Sequence, residues 1–250
     1  MPHRTQPDKH TAYFDLLDAC KKGGCPICTM ALDTVDRYLD ATIYENVNDG
    51  ELRRSVVQAR GFCNDHSWRL REARAGFGVA LLYRDVLSHV NEEIVRQPAD
   101  GKLDLFGNGQ QHGGLLDRLA ALGGGETGQG ERDIADPHLA CPACVERERY
   151  ELLYLETLIA HVGEDEVARA VRQTGGLCLV HLDQAALATR DTSALARLLD
   201  LQHACIDALY GELSEFIRKH DYRFHDEGMG AEGNSWIRAT EMVAGKPGIR

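Results

Sequence analysis

Basic charge is scarce in this 250-residue chain: 28 Lys and Arg stand against 39 Asp and Glu, a formal net charge of -11 and a pI near 5.4. Phosphate backbones are gripped by a basic footprint, so this balance argues against a general nucleic-acid binder. No run approaches eighteen apolar residues, which excludes a membrane span. Met1 to Lys9 is polar, with no apolar stretch leading to a small-residue cleavage site, so the expected location is the cytoplasm. Strand-type alternation of apolar and polar residues is almost missing. So are the Gly-x-Ser-x-Gly elbow, His-Glu-x-x-His, the haem-attachment Cys-x-x-Cys-His and a phosphate loop; Gly123-Gly-Gly125 and Gly128-Gln-Gly130 have neither a preceding strand nor a lysine in register.

What the chain does carry is one four-residue ligand pattern, twice. Cys25-Pro-Ile-Cys28 is followed by Cys63-x-x-His66, and Cys141-Pro-Ala-Cys144 by Cys178-x-x-His181. Thirty-four residues separate Cys28 from Cys63 and thirty-three separate Cys144 from Cys178, so chance repetition of eight ligand-type residues in order is negligible. The pattern predicts two metal sites. In a reducing compartment such Cys pairs are metal ligands or redox dithiols more often than structural disulfides.

Local chemistry supports the ligand reading. Cysteine is acceptable as a helix N-cap and proline directly after it suits the first helical position, whose N–H has no partner anyway. Cys-Pro-x-Cys therefore starts a helix, where free amides and the positive end of the dipole favour thiolate over thiol. Gly-x-Cys-x-x-His reads as a second helix start with Cys and His on one face. Three thiolates and one imidazole match a closed tetrahedral zinc site, which has no open position for water and so favours scaffolding over hydrolysis. The expectation is that each half closes on itself: Cys25, Cys28, Cys63 and His66 around one zinc ion, Cys141, Cys144, Cys178 and His181 around the other. One difficulty is visible at once, because a helix from Cys25 to Ile43 rises roughly 27 Å and the chain has to come back as far. Iron–sulfur ligation, a metal-dependent enzyme whose site opens, and a thiol redox pair using the Cys-Pro-x-Cys motifs are the alternatives; the redox reading lacks its usual βαβ setting.

Helical periodicity dominates, so the predicted fold is all-α, as two pseudo-repeated halves. Leu32, Val35, Leu39 and Ile43 recur at helical spacing, a turn follows at Asn46 to Gly50, and a short helix fits Glu51 to Arg60. From Asn64 to Arg96 a long stretch places Leu81, Val86, Val90 and Ile94 on one side, with Gly76 and Gly78 predicting a bend or break. The second half repeats the plan: Gly61 aligns with Gly176, Val56 with Val171, and Phe62-Cys63 with Leu177-Cys178. A late long helix brings Leu195, Leu198, Leu199, Ile206, Leu209, Leu213 and Ile217 into step, and a short helix near Ser235 is expected to dock Trp236 on the core. The predicted organisation is a first metal-binding repeat over 1–100, a Gly-rich linker over 101–137, a second repeat over 138–220 and a tail over 221–250.

Other residues read as ordinary. Cys20 and Cys205 lie outside the repeat and are expected to be packed helix thiols; His89, His161 and His203 are expected to make surface or polar contacts. The six arginines between Glu51 and Arg74, against three acids, read as solvated helix faces, with a small anion-binding face as the alternative. The segment His220 to Glu227 gathers acid, base and imidazole and reads as a polar connection.

The paired Cys-Pro-x-Cys and Gly-x-Cys-x-x-His blocks, with Tyr44-Glu-Asn-Val-Asn-Asp49 and Lys219-His-Asp-Tyr-Arg-Phe224, resemble an uncharacterised family of bacterial domain-of-unknown-function proteins. The resemblance covers most of the chain and implies no reaction. No catalytic residue set stands out, and whether the chain is an enzyme stays open. The expected role is an interaction or regulatory module whose partner is an unidentified protein, without membrane or nucleic acid.

Overall fold

The computed structural model describes residues 9–96, 141–224 and 226–249, and these are helical with no strand among them. In chain order the helices are α1 (Thr11–Lys21), α2 (Pro26–Tyr44), α3 (Gly50–Gln58), α4 (Asn64–Glu72), α5 (Gly76–Arg96), α6 (Pro142–His161), α7 (Asp165–Thr174), α8 (Leu179–Ala188), α9 (Thr192–Lys219) and α10 (Ser235–Ala244). The predicted linker over 101–137 lies outside the described residues. Among the described residues, no helix is long and apolar enough to cross a membrane.

Local signals account for the boundaries. Pro26 and Pro142 open α2 and α6. The Asp49 carboxylate accepts from the amides of Glu51 (3.0 Å) and Leu52 (2.7 Å), and Asp191 accepts from Ser193 and Ala194, so each caps its helix by satisfying amides that have no partner within it. The expected break falls just before Gly76. Gly78 is glycine because a Cβ there would stand 2.9 Å from the Ile43 carbonyl oxygen.

The chain forms two compact units, and they are not the sequence halves. One comprises Met1–Thr34 with Arg147–Arg250, the other Val35–Glu146. Helices α2 and α6 each begin in one unit and end in the other. In the Val35–Glu146 unit, Val35, Leu39 and Ile43 of α2 pack with Val56, Phe62, Leu70, Leu82 and Val86, and with Cys141, Ala143 and Cys144 from the start of α6. The other unit joins Ile27, Cys28 and Ala31 to Leu155, Leu158, Val167, Val171, Leu177, Cys178 and Leu198, with α1 contributing Tyr13 and Leu16. Each fully buried Leu or Ile contributes about 1.5–3 kcal/mol relative to exposure.

Three apolar faces sit differently from expectation. On α5 the buried side runs through Leu82 and Val86, while Ile94 is exposed. On α9 it runs through Ala194, Leu198, Leu201, Cys205 and Leu209, leaving Leu199, Ile206 and Ile217 outside. Gln202 belongs to the inner face, and a polar residue there broke the apolar pattern that periodicity follows. Trp236 is 54 % exposed; Ser235 and Ile249 take the inner positions of the tail.

Gln202 explains one glycine. Its amide accepts from the Leu177 N–H (2.8 Å) and donates to the Leu177 carbonyl (3.0 Å), clamping the residue before Cys178. Gly176 has φ +91°, and a Cβ added there would lie 2.6 Å from the Gln202 Oε1. Gly176→Ala is therefore expected to destabilise the protein by about 2–4 kcal/mol, combining left-handed strain with loss of the clamp. Gly23→Ala, also at positive φ (+76°) but facing open space, is expected to cost only about 1 kcal/mol. Denaturant midpoints check the pair, and equal losses would rule the clamp out.

Candidate metal centres

Both helix starts in each repeat form as their residues dictate. The Cys25 and Cys141 carbonyls accept from the amides of Thr29 (3.3 Å) and Val145 (3.0 Å), placing each cysteine at the cap with proline next. Cys63 and Cys178 are the N-cap residues of α4 and α8, in extended conformation, and neither side chain spends itself on a cap hydrogen bond. Ahead of them Arg60 and Gly61, like Gly175 and Gly176, have positive φ, turning the chain from one helix end to the next helix start. The Gly61 and Gly176 amides close these ends on the Val56 and Val171 carbonyls at 2.8 and 3.1 Å.

The ligand sets are crossed. One group is Cys25, Cys28, Cys178 and His181; the other is Cys63, His66, Cys141 and Cys144. All eight expected residues converge, but each Cys-Pro-x-Cys meets the Cys-x-x-His of the opposite half, which corrects the expectation that each half closes on itself. The physical reason is the length of α2. Nineteen residues rise about 28 Å, and the nine residues of α3 return only about 14 Å. Cys63 and His66 therefore serve the unit that holds the C-terminal part of α2, where Asp36 pairs with Arg69 of α4 at 2.5 Å. The same holds for α6, α7 and α8.

Within each group the four donor atoms lie within 4.8 Å of one another. Around one ion with Zn–S of about 2.3 Å and Zn–N of about 2.0–2.1 Å, tetrahedral edges are about 3.8 Å between sulfurs and about 3.5 Å from sulfur to nitrogen. Cys28 Sγ is 3.6 Å from Cys178 Sγ, and the His181 Nδ1 is 3.5, 3.4 and 3.1 Å from the sulfurs of Cys25, Cys28 and Cys178. In the other group Cys63 and Cys144 are 3.7 Å apart, and the His66 Nδ1 is 3.3, 3.5 and 3.4 Å from the sulfurs of Cys63, Cys141 and Cys144. Thiol hydrogen bonds would join such atoms in pairs; mutual proximity of all four is what a single ion requires. No cysteine is in a disulfide. Both histidines turn Nδ1 to the sulfurs, and both Nε2 atoms are buried without a hydrogen bond, an arrangement suited to a neutral ring that ligates through Nδ1 and carries its proton on Nε2. Each group could hold one metal ion.

Three packed thiols cannot all ionise without a cation, and the proton affinities reflect this. Hydrogen bonds from Cys25 and Cys28 hold Cys178 far below the usual thiol range, and those from Cys141 and Cys144 do the same for Cys63. The neighbours go the other way: burial pushes Cys25 up to about 12, while hydrogen bonding to Cys178 raises Cys28 and hydrogen bonding to Cys141 raises Cys144. Burial opposes the imidazolium of His181, yet its bonds to Cys178 and Cys28 and the nearby Glu151 carry it to about 11; the corresponding bonds of His66 to Cys141 and Cys63 carry it to about 9.

Several supporting residues escape a reading by motif. Gln202 positions Cys178 through Leu177. Near Cys63, Ser67 donates to the Phe62 carbonyl (2.9 Å) and receives the Tyr83 hydroxyl (2.8 Å). Glu151 and Arg147, 3 % and 6 % exposed, lie behind His181, with Nε2 to Glu151 Oε1 at 3.6 Å and Arg147 Nε to the same oxygen at 3.4 Å. In the sequence the two are an ordinary i,i+4 charge pair of the kind found on solvated helix faces, so no signal marked them.

The remaining candidates resolve into structure. The Cys20 thiol is raised to about 11 by burial and Cys205 in the same direction, as expected of packed thiols. His89 and His203 contact Glu93 and Asp207, and buried His161 bonds Glu164 at 2.7 Å. The arginine-rich stretch does not form an anion face, because Arg53, Arg60 and Arg69 pair with Asp85, Glu93 and Asp36, and Arg71 stacks over Trp68. The late polar segment ties α9 to the tail: Arg218 pairs with Glu227 and Lys219 with Glu232; His225 lies outside the described residues.

The chain is similar to an uncharacterized 23.9 kDa protein in the xynA 3' region of Caldicellulosiruptor sp. (strain Rt8B.4), 24% identical over 232 residues that span 92% of this chain and 99% of that one. No solved structure gives a significant match. The family model described as "Family of unknown function (DUF6062)" matches residues 12–248, so this all-helical chain with its two Cys3His groups belongs to that family.

Proposed function

We propose that this is a cytoplasmic zinc protein in which Cys25, Cys28, Cys178 and His181 hold one ion, Cys63, His66, Cys141 and Cys144 hold a second, and the framework so fixed serves as an interaction or regulatory module for a protein partner. The observation that carries it is the pair of four-atom groups, each with its three sulfurs and one ring nitrogen within 4.8 Å of one another, close enough to share a single ion. A multi-iron cluster is larger than one ion and would hold its sulfurs farther apart. Redox work needs an accessible, low-affinity thiol, whereas all four Cys-Pro-x-Cys cysteines are buried. A site with four protein ligands leaves no place for water, which supports scaffolding over hydrolysis.

Elemental analysis of protein purified without added metal tests this. The expected result is two zinc ions per chain, retained in mild thiol reagents. A visible absorption band from iron, or reversible thiol oxidation in a chain that holds no metal, would overturn it.

A further inference from the structure

The repeat supplies the same four ligands twice but does not supply the same surroundings. A ligating histidine gains basicity and a fixed orientation when its second nitrogen donates to a carboxylate. Behind His181 that acceptor is Glu151, itself 3 % exposed and backed by Arg147, whose guanidinium also donates to the Gly248 carbonyl at 3.0 Å. Three buried polar atoms with no regular hydrogen bond, the His181 Nε2, Glu151 Oε1 and Arg147 Nε, therefore face one another. A histidine held by an ion through Nδ1 would present its Nε2 proton to Glu151.

The other repeat lacks this arrangement. Glu151 lies ten positions after Cys141; ten positions after Cys25 stands Val35, fully buried and unable to accept. Arg147 corresponds in the same way to Ala31. Among the described residues the His66 Nε2 has only Asp65, at 3.8 Å, whose side chain is 36 % exposed and so shared with water. Cys63 is also the one ligand of the eight that is not fully buried. A cavity of about 470 Å³ borders Cys25 and Cys178, so solvent approach does not by itself separate the centres; the support behind the histidine does.

We propose that the two centres bind their ions with unequal strength, the Cys178/His181 centre holding a permanent ion and the Cys63/His66 centre an exchangeable one, with Glu151 as the positioning residue that creates the difference. The inference rests on the metal reading above. It turns a symmetric scaffold into an asymmetric one, in which divalent-ion supply governs one centre while the other stays intact.

Equilibrium competition with a chromophoric chelator, on full-length protein loaded with two cobalt ions, tests it. Two steps are expected. Cys63→Ser should remove the weaker step and leave the stronger; Cys178→Ser should do the reverse. Glu151→Gln should weaken the stronger step by about 10–100-fold and shift the cobalt ligand-field band of that centre alone, a spectral change that loss of packing elsewhere would not produce. Glu156→Gln, on the exposed side of the same helix, should change neither. Should Glu151→Gln fail to fold, the order of release in the unaltered chain and the two Cys→Ser variants still decides. Release of both ions in one step, or of the Cys178/His181 ion first, overturns this inference alone; a chain that takes up no divalent ion overturns the metal reading beneath it.

Discussion

Cys25→Ser combined with Cys178→Ser will leave a chain that retains one ion, whereas Cys25→Ser combined with Cys63→Ser will leave a chain that retains none. The first pair removes two ligands from a single group and spares Cys63, His66, Cys141 and Cys144; the second takes one ligand from each group. Structural zinc in small peptides is worth an apparent 10–16 kcal/mol, so a group stripped of one thiolate loses most of its hold and one stripped of two loses all of it. Closure within each half would reverse the two results. Metal counted per chain after gel filtration, alongside the melting temperature, gives the answer, and one ion remaining in the Cys25/Cys63 variant would refute the crossed arrangement.

Acid is expected to empty both centres and take the fold with it. The metal-bound state keeps its thiols and imidazole deprotonated, so their affinity for protons is low while the ion is present. In the metal-free protein most partners of Cys178 hold their protons firmly, although Cys178 itself does not: Cys25 is pushed up by burial to about 12, Cys28 rises in the same direction through Cys178, and His181 is carried to about 11 by its sulfur partners. Each ion must displace more than one proton. Apparent affinity therefore rises with pH, and the stability contributed by the ions is present at neutral and alkaline pH and lost as pH falls. A domain of this kind has only about 5–15 kcal/mol in total, so removing ions that pin four helix starts should abolish the cooperative melt. Circular dichroism and released metal, followed from about pH 8 to about pH 4, should change together; helicity and melting that survive after both ions have gone would show that the core stands without them.

Much of this was legible residue by residue. Pro26 and Pro142 after a cysteine mark helix starts, Asp49 and Asp191 mark caps, and the repeat of Gly61 and Val56 in Gly176 and Val171 marks the turns that present Cys63 and Cys178. These are local matters, decided by φ preference, missing N–H groups and capping oxygens within a few positions. Which faces of α5 and α9 turn inward was less legible. Gln202 occupies an inner position for the sake of a backbone clamp, and an apolar count does not see a polar residue with a structural partner 25 positions away. Glu151 was equally invisible, since its partner His181 is brought beside it only by packing.

The amino-acid sequence alone determined that the chain is helical, that it is duplicated, and that eight cysteine and histidine side chains share one chemistry, because helix starts and ligand types are set by neighbours along the chain. Which four of the eight meet was decided only in three dimensions. A 19-residue helix rises about 28 Å, and the segment after it, folded as a nine-residue helix between turns, does not retrace that length, so each ligand pair completes its set from the other repeat.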